Sequence, residues 1–167
     1  KKIIKGTKYI LSIDKVRREK IRNNHSATHL LHQSLRNILG EHVSQKGSLV
    51  SDQKLRFDFT YNKSLSNKQI YEIEMLVNKT IRLNLIQTEE LATVREAIEN
   101  GAIALFGEKY PEKVRVITFN SDDNNLLVSK ELCGGTHVNA TGQIGAFKIL
   151  SDSSVSSGVR KIEAITG

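Results

Sequence analysis

His25 and His29 stand four residues apart in a stretch of helical periodicity, and Cys133 and His137 repeat that spacing far along the chain. On a helix, residues at i and i+4 project from one face about a turn apart, so the two imidazoles can share one metal ion. Between Cys133 and His137 lies Gly134-Gly135-Thr136, a run that resists helix and permits the tight turn that joins thiolate to imidazole. If the pairs act together, the fold must bring the two segments side by side. A His pair on a helix is usually fortuitous and a lone cysteine usually packs in a core. Here the pairs use the single cysteine and three of the five histidines. Three nitrogens and one sulfur suit Zn²⁺ far better than Mg²⁺ or Ca²⁺. His32 falls near the same face, so spacing also permits a pair of His29 with His32.

One cysteine excludes an internal disulfide and fits a reducing compartment. The 167 residues, 38% hydrophobic and 26% charged, fit one globular domain or one domain with a fragment of a neighbour. No apolar run approaches the roughly 18 residues of a membrane span, and no signal-peptide core opens the chain, so a soluble protein is expected. Lys plus Arg outnumber Asp plus Glu, 25 to 18, giving a net charge of +7 that makes nucleic acid the first polyanion to consider. The chain opens on Lys1 and reads as a piece of a longer protein.

Residues 7–13 alternate Tyr9, Leu11 and Ile13, a strand signal. Asp14 can cap a helix running to Gly40, with a break expected near Asn23 and Asn24. Strands are expected over 43–50 and 54–60, joined by the turn Ser51-Asp52-Gln53. Capping boxes at Ser66/Gln69 and Thr93/Glu96 start two further helices, the second ending near Gly101. After the loop 107–111, VRVITF, LLVSKEL, AFKIL and VRKIEAI read as strands with no helix between them. Helices and strands in separate blocks favour an α+β fold, antiparallel sheets packed with a few helices.

The phrases NNHSATHLLH, GEHVSQKGSLV, LRFDF, ALFGEKY, ELCGGTH and VRKIEAITG together resemble the editing domain of bacterial-type alanyl-tRNA synthetases, nearly end to end. The His-x-x-x-His and Cys-x-x-x-His pairs are shared with free-standing alanyl editing proteins and with the threonyl enzymes, whereas SQKGSLV, RFDF and GEKY favour the synthetase-borne alanyl form. The resemblance implies that His25, His29, Cys133 and His137 hold one Zn²⁺, with His32 left as a packing residue. It implies that Thr28 helps exclude correctly attached alanine and that Gln45 supports editing. The implied reaction is hydrolysis of the ester joining serine or glycine to the 3′ end of alanine tRNA, in the cytoplasm. A second sieve is physically needed, because discrimination on one methyl group reaches only about 10 to 200-fold. The partners implied are the tRNA(Ala) acceptor end and the rest of the synthetase chain, with no membrane. Lys46 and Lys109 are candidates for contacts to tRNA phosphates, and Glu131 for orienting a ligand. Residues 1–13 resemble the end of a small β-barrel that precedes an editing domain at 14–167.

Three other readings compete. A free-standing editing deacylase acting in trans would carry the same chemistry. Four protein ligands are also the mark of a closed structural zinc, which would make the chain a tRNA-binding module without catalysis. A metalloprotease-like hydrolase is disfavoured, since His-Ser-Ala-Thr-His lacks the glutamate that follows the first histidine in such enzymes.

Overall fold

The structure is a computed structural model that describes residues 3–105, 109–121 and 126–167. Its elements run α1 (Lys15–Leu39), β1 (Gln45–Val50), β2 (Leu55–Thr60), α2 (Asn67–Arg82), β3 (Ile86–Thr93), α3 (Val94–Glu99), β4 (Lys113–Ser121), β5 (Leu126–Leu132), a 3₁₀ turn (Thr141–Ile144), β6 (Phe147–Ser156) and β7 (Val159–Thr166). The strands form two antiparallel sheets, β1-β2-β7-β6 and β3-β4-β5, so the α+β expectation holds. No helix among the described residues is long and apolar enough to cross a membrane.

Local chemistry explains most boundaries. Asp14 caps α1 by accepting from Arg17 N at 3.0 Å, and Gly40, at φ 116°, closes it with its N–H on the Arg36 carbonyl. Both capping boxes form, Ser66 with Gln69 and Thr93 with Glu96. Alternation in β2 sends Leu55, Phe57 and Phe59 into the core, where they meet Ile162 and Ala164 of the neighbouring β7. α1 lays Ala27, Leu30, Leu31 and Leu35 on that sheet, α2 adds Ile73, Val77 and Ile81, and Ile117 and Phe119 of β4 reach the same core. Fully burying each of these large aliphatic side chains contributes about 1.5–3 kcal/mol.

Three expectations need correction. α1 is unbroken at Asn23 and Asn24. Asn24 donates from Nδ2 to the Ser51 carbonyl at 2.9 Å and accepts from Thr166 Oγ1 at 2.8 Å, so its side chain does not compete with the helix backbone. Residues 7–13 form no strand, and Ile10 and Leu11 are 98% and 95% exposed: alternation alone cannot hold a strand without a neighbour to pair with. β3, which the sequence left unassigned, pairs with β4 along its whole length from Ile86↔Asn120 to Thr93↔Lys113. The expected loop at 107–111 lies partly outside the described residues.

Candidate metal centre

α1 presents His25 and His29 toward the loop that follows β5. Cys133 sits where β5 ends, its N–H held by the Arg115 carbonyl at 2.9 Å. β5 itself is fixed across Ile103, which donates to the Lys130 carbonyl and accepts from Leu132 N. The loop then turns through Gly134 and Gly135, with the Gly135 N–H directed at Cys133 Sγ (3.5 Å), and returns His137 to the same point. Gly135 is required by proximity: a Cβ there would lie 1.9 Å from His25 Cε1.

The ligand atoms of His25, His29, Cys133 and His137 all lie within 4.8 Å of one another, a group that could hold a metal ion. Cys133 Sγ stands 3.4 Å from His25 Nε2 and 3.4 Å from His137 Nε2. A tetrahedral zinc with usual Zn–N and Zn–S lengths sets a sulfur-to-nitrogen edge of about 3.5 Å, so the spacing fits. The rings of His25 and His29 lie 4.3 Å and 4.7 Å from that of His137, close enough to converge without stacking face to face.

A second layer orients these groups. Glu131, 5% exposed, places Oε2 3.0 Å from His29 Nδ1 and Oε1 3.0 Å from His32 Nδ1. With Nδ1 facing a carboxylate, Nε2 is the atom that His29 would offer a metal ion, as in the carboxylate–histidine arrangement of metal sites. The His29 contact is one of charge more than of a well-aligned hydrogen bond, since Nδ1 has no partner of good hydrogen-bond geometry. Ser26 Oγ lies 3.2 Å from His137 Nδ1 and accepts from Val138 N at 3.1 Å, so it fixes both the ring and the chain that carries it.

Negative charge gathers at Cys133 and Glu131. Burial works against the Cys133 thiolate, but hydrogen bonds from His137, His25 and His29 outweigh it and bring the thiol down to about 3. Burial likewise works against a charged His29, yet the Glu131 carboxylate outweighs it and raises the imidazole to about 10. For His137 burial dominates and lowers the ring to about 4, leaving it neutral. Burial opposes the Glu131 carboxylate, and the two imidazoles still hold it well below the usual carboxylate range.

His32 is not part of the four-residue group. It is buried, faces Glu131 and packs on Phe57 with ring centroids 5.2 Å apart. Thr28 is 4% exposed, not on a helix surface, and its hydroxyl donates to the Asn24 carbonyl at 2.9 Å. Gln45 and Lys46 open β1 and Lys109 precedes β4, all outside the cluster, with both lysines exposed. Sequence reasoning missed Ser26, Arg18 and Arg22. The arginines donate to Thr136 Oγ1 at 3.3 Å and 3.0 Å, within the loop that carries Cys133 and His137.

Residues 114–163, a span that includes Cys133 and His137, match the family model described as the threonyl and alanyl tRNA synthetase second additional domain. Over those residues the chain is similar to that class of synthetase domain. Along nearly its whole length it is similar to alanine–tRNA ligases. It is 53% identical over 165 residues to the alanine–tRNA ligase of Wolbachia pipientis wMel, covering 99% of this chain and 18% of that protein. It is 57% identical over 158 residues to that of Sphingopyxis alaskensis, covering 94% and 18%. It is 53% identical over 159 residues to that of Parvibaculum lavamentivorans, again covering 94% and 18%. The chain therefore spans less than a fifth of the length of these relatives.

Proposed function

We propose that the chain is a zinc-dependent deacylase that hydrolyses serine or glycine wrongly attached to alanine tRNA, acting in the cytoplasm as the editing part of an alanyl-tRNA synthetase. The observation that carries the reading is the convergence of His25, His29, Cys133 and His137, with one side left open: His29 and His137 are buried while His25 and Cys133 are only partly covered. A closed structural site has no need of that opening, whereas a catalytic one must admit substrate or water.

The chemistry zinc supplies in such a set is Lewis-acid polarisation of a bound water or of a substrate oxygen. The chain's own residues prepare the site for it. Glu131 sets its carboxylate against Nδ1 of His29, Ser26 holds the His137 ring, and Gly135 lets the loop close on His25. Thr28, on the turn between His25 and His29, is buried with its hydroxyl on the helix backbone, and its proposed part is in telling alanine from the misattached amino acids. Gln45 is proposed to assist editing from β1, and the partners are the acceptor end of tRNA(Ala) and the rest of the synthetase.

The test is single-turnover hydrolysis of seryl-tRNA and alanyl-tRNA, both on alanine tRNA, by this chain with and without zinc. Selective, zinc-dependent loss of serine supports the reading, and it should vanish in Cys133→Ala. A folded, zinc-loaded chain that releases neither amino acid would instead favour the non-catalytic module.

A further inference from the structure

Arg18, Arg22, His25 and His29 follow one another on α1 at intervals of four, three and four residues, so the two arginines extend the metal-ligand stripe outward along the same helix face. Both guanidiniums end on one hydroxyl, Thr136 Oγ1, which lies between Gly135 and His137 in the loop that closes the site. Among the described residues, neither arginine has a carboxylate within ion-pair distance, unlike Arg17 beside Asp52, Arg115 beside Glu89 and Arg160 beside Asp152. Like charges one turn apart repel, and a lone neutral hydroxyl does nothing to offset that repulsion. Arg22 also lines a cavity of about 440 Å³, with Asn23, Asn139 and Gln143 as further polar groups and Glu19 at its wall.

We propose that Arg18 and Arg22, set by Thr136, form the seat for a backbone phosphate of the single-stranded 3′ end of the tRNA, next to the ester that the site cleaves. The proposal rests on the deacylase reading for its substrate and gives it a point of attachment. A planar guanidinium can grip a phosphate through two hydrogen bonds, and two of them held on one hydroxyl present a fixed pair of forks. Anchoring at the mouth would hold the aminoacyl end in register with the metal-ligand cluster while contributing nothing to base identity. Binding should therefore be salt-dependent and insensitive to the base at that position.

The experiment compares this chain with its Arg18→Gln/Arg22→Gln variant, using an uncharged acceptor-stem RNA that ends in CCA. The affinity is read over a range of KCl concentrations, and zinc content is measured on both proteins. The expected result is unchanged zinc content, about tenfold weaker binding at low salt, and a log–log salt slope shallower by about 0.7 for each phosphate that the arginines no longer neutralise. An unchanged slope overturns the proposal, as does an equal loss of affinity for an RNA that lacks the single-stranded end. Hydrolysis by the unaltered chain together with an unchanged slope removes the arginine seat and leaves the deacylase. Arginine-dependent binding without hydrolysis keeps the seat and removes the deacylase.

Discussion

At the scale of single residues, Gly135 decides how close the two halves of the centre can come. A methyl group there would occupy the position of the His25 ring, so Gly135→Ala should displace that ring and leave the rest of the fold in place. We expect zinc affinity, measured by competition with a coloured chelator, to fall by about tenfold or more, within the range that disturbances around ligands cause. Unchanged affinity would mean that His25 is not a ligand. Two local pairs are legible in the sequence as candidate metal ligands, because each spacing is a geometric statement. The choice between His25 and His32 as the partner of His29 is not legible, since both lie on the same helix face. The fold brings His25, and not His32, within 4.8 Å of the candidate ligand atoms of His29, Cys133 and His137. Arg18 and Arg22 read as solvated helix charges until Thr136 is brought to them, though their spacing from His25 is plain in the sequence.

At the scale of elements, capping chemistry is readable and pairing is not. Both capping boxes declare helix starts within four residues, and both form. β3 is polar and mostly exposed on an edge of its sheet, where little apolar alternation is needed, so the periodicity that reveals β2 is absent from it. Residues 7–13 show the reverse case, with alternation but no partner strand. The junction of β6, β7 and the approach to α2 depends on an ion pair that no local pattern announces. Arg160 donates to Asp152 at 2.8 Å and 2.6 Å, with the side chains 9% and 6% exposed, and Asp152 also accepts from Leu65 N. Asp152→Asn leaves the guanidinium buried beside a neutral group and should cost about 3–5 kcal/mol in urea unfolding. Replacing both residues by apolar ones of similar volume should cost clearly less, and an equal cost would mean that packing, not charge, holds the junction.

At the scale of the whole molecule, the apolar core and the metal cluster support the fold separately. The core joins α1, α2 and the four-stranded sheet through side chains that, Cys133 at its margin aside, do not belong to the cluster. Chelation should therefore leave a cooperatively folded protein, unlike a small zinc-dependent finger that unfolds without its ion. At a thousandfold excess of zinc over Kd, linkage adds about 4 kcal/mol, so removing the metal should lower Tm by roughly 10 °C in calorimetry of a domain of this size. Loss of the transition altogether would show that the core is insufficient by itself.

The ligand pairs sit on α1 and beyond β5, with most of the chain's elements between them. During synthesis the histidines of α1 leave the ribosome many seconds before Cys133 exists, at the usual pace of about 5–20 residues per second. For that interval the nascent chain would hold only half of the proposed coordination sphere, too little to bind an ion tightly. Because the two pairs are far apart in sequence, the sphere would close only once the end of β5 has folded against α1. Zinc uptake would thus report that folding is complete, and a chain stalled partway could not hold the ion tightly.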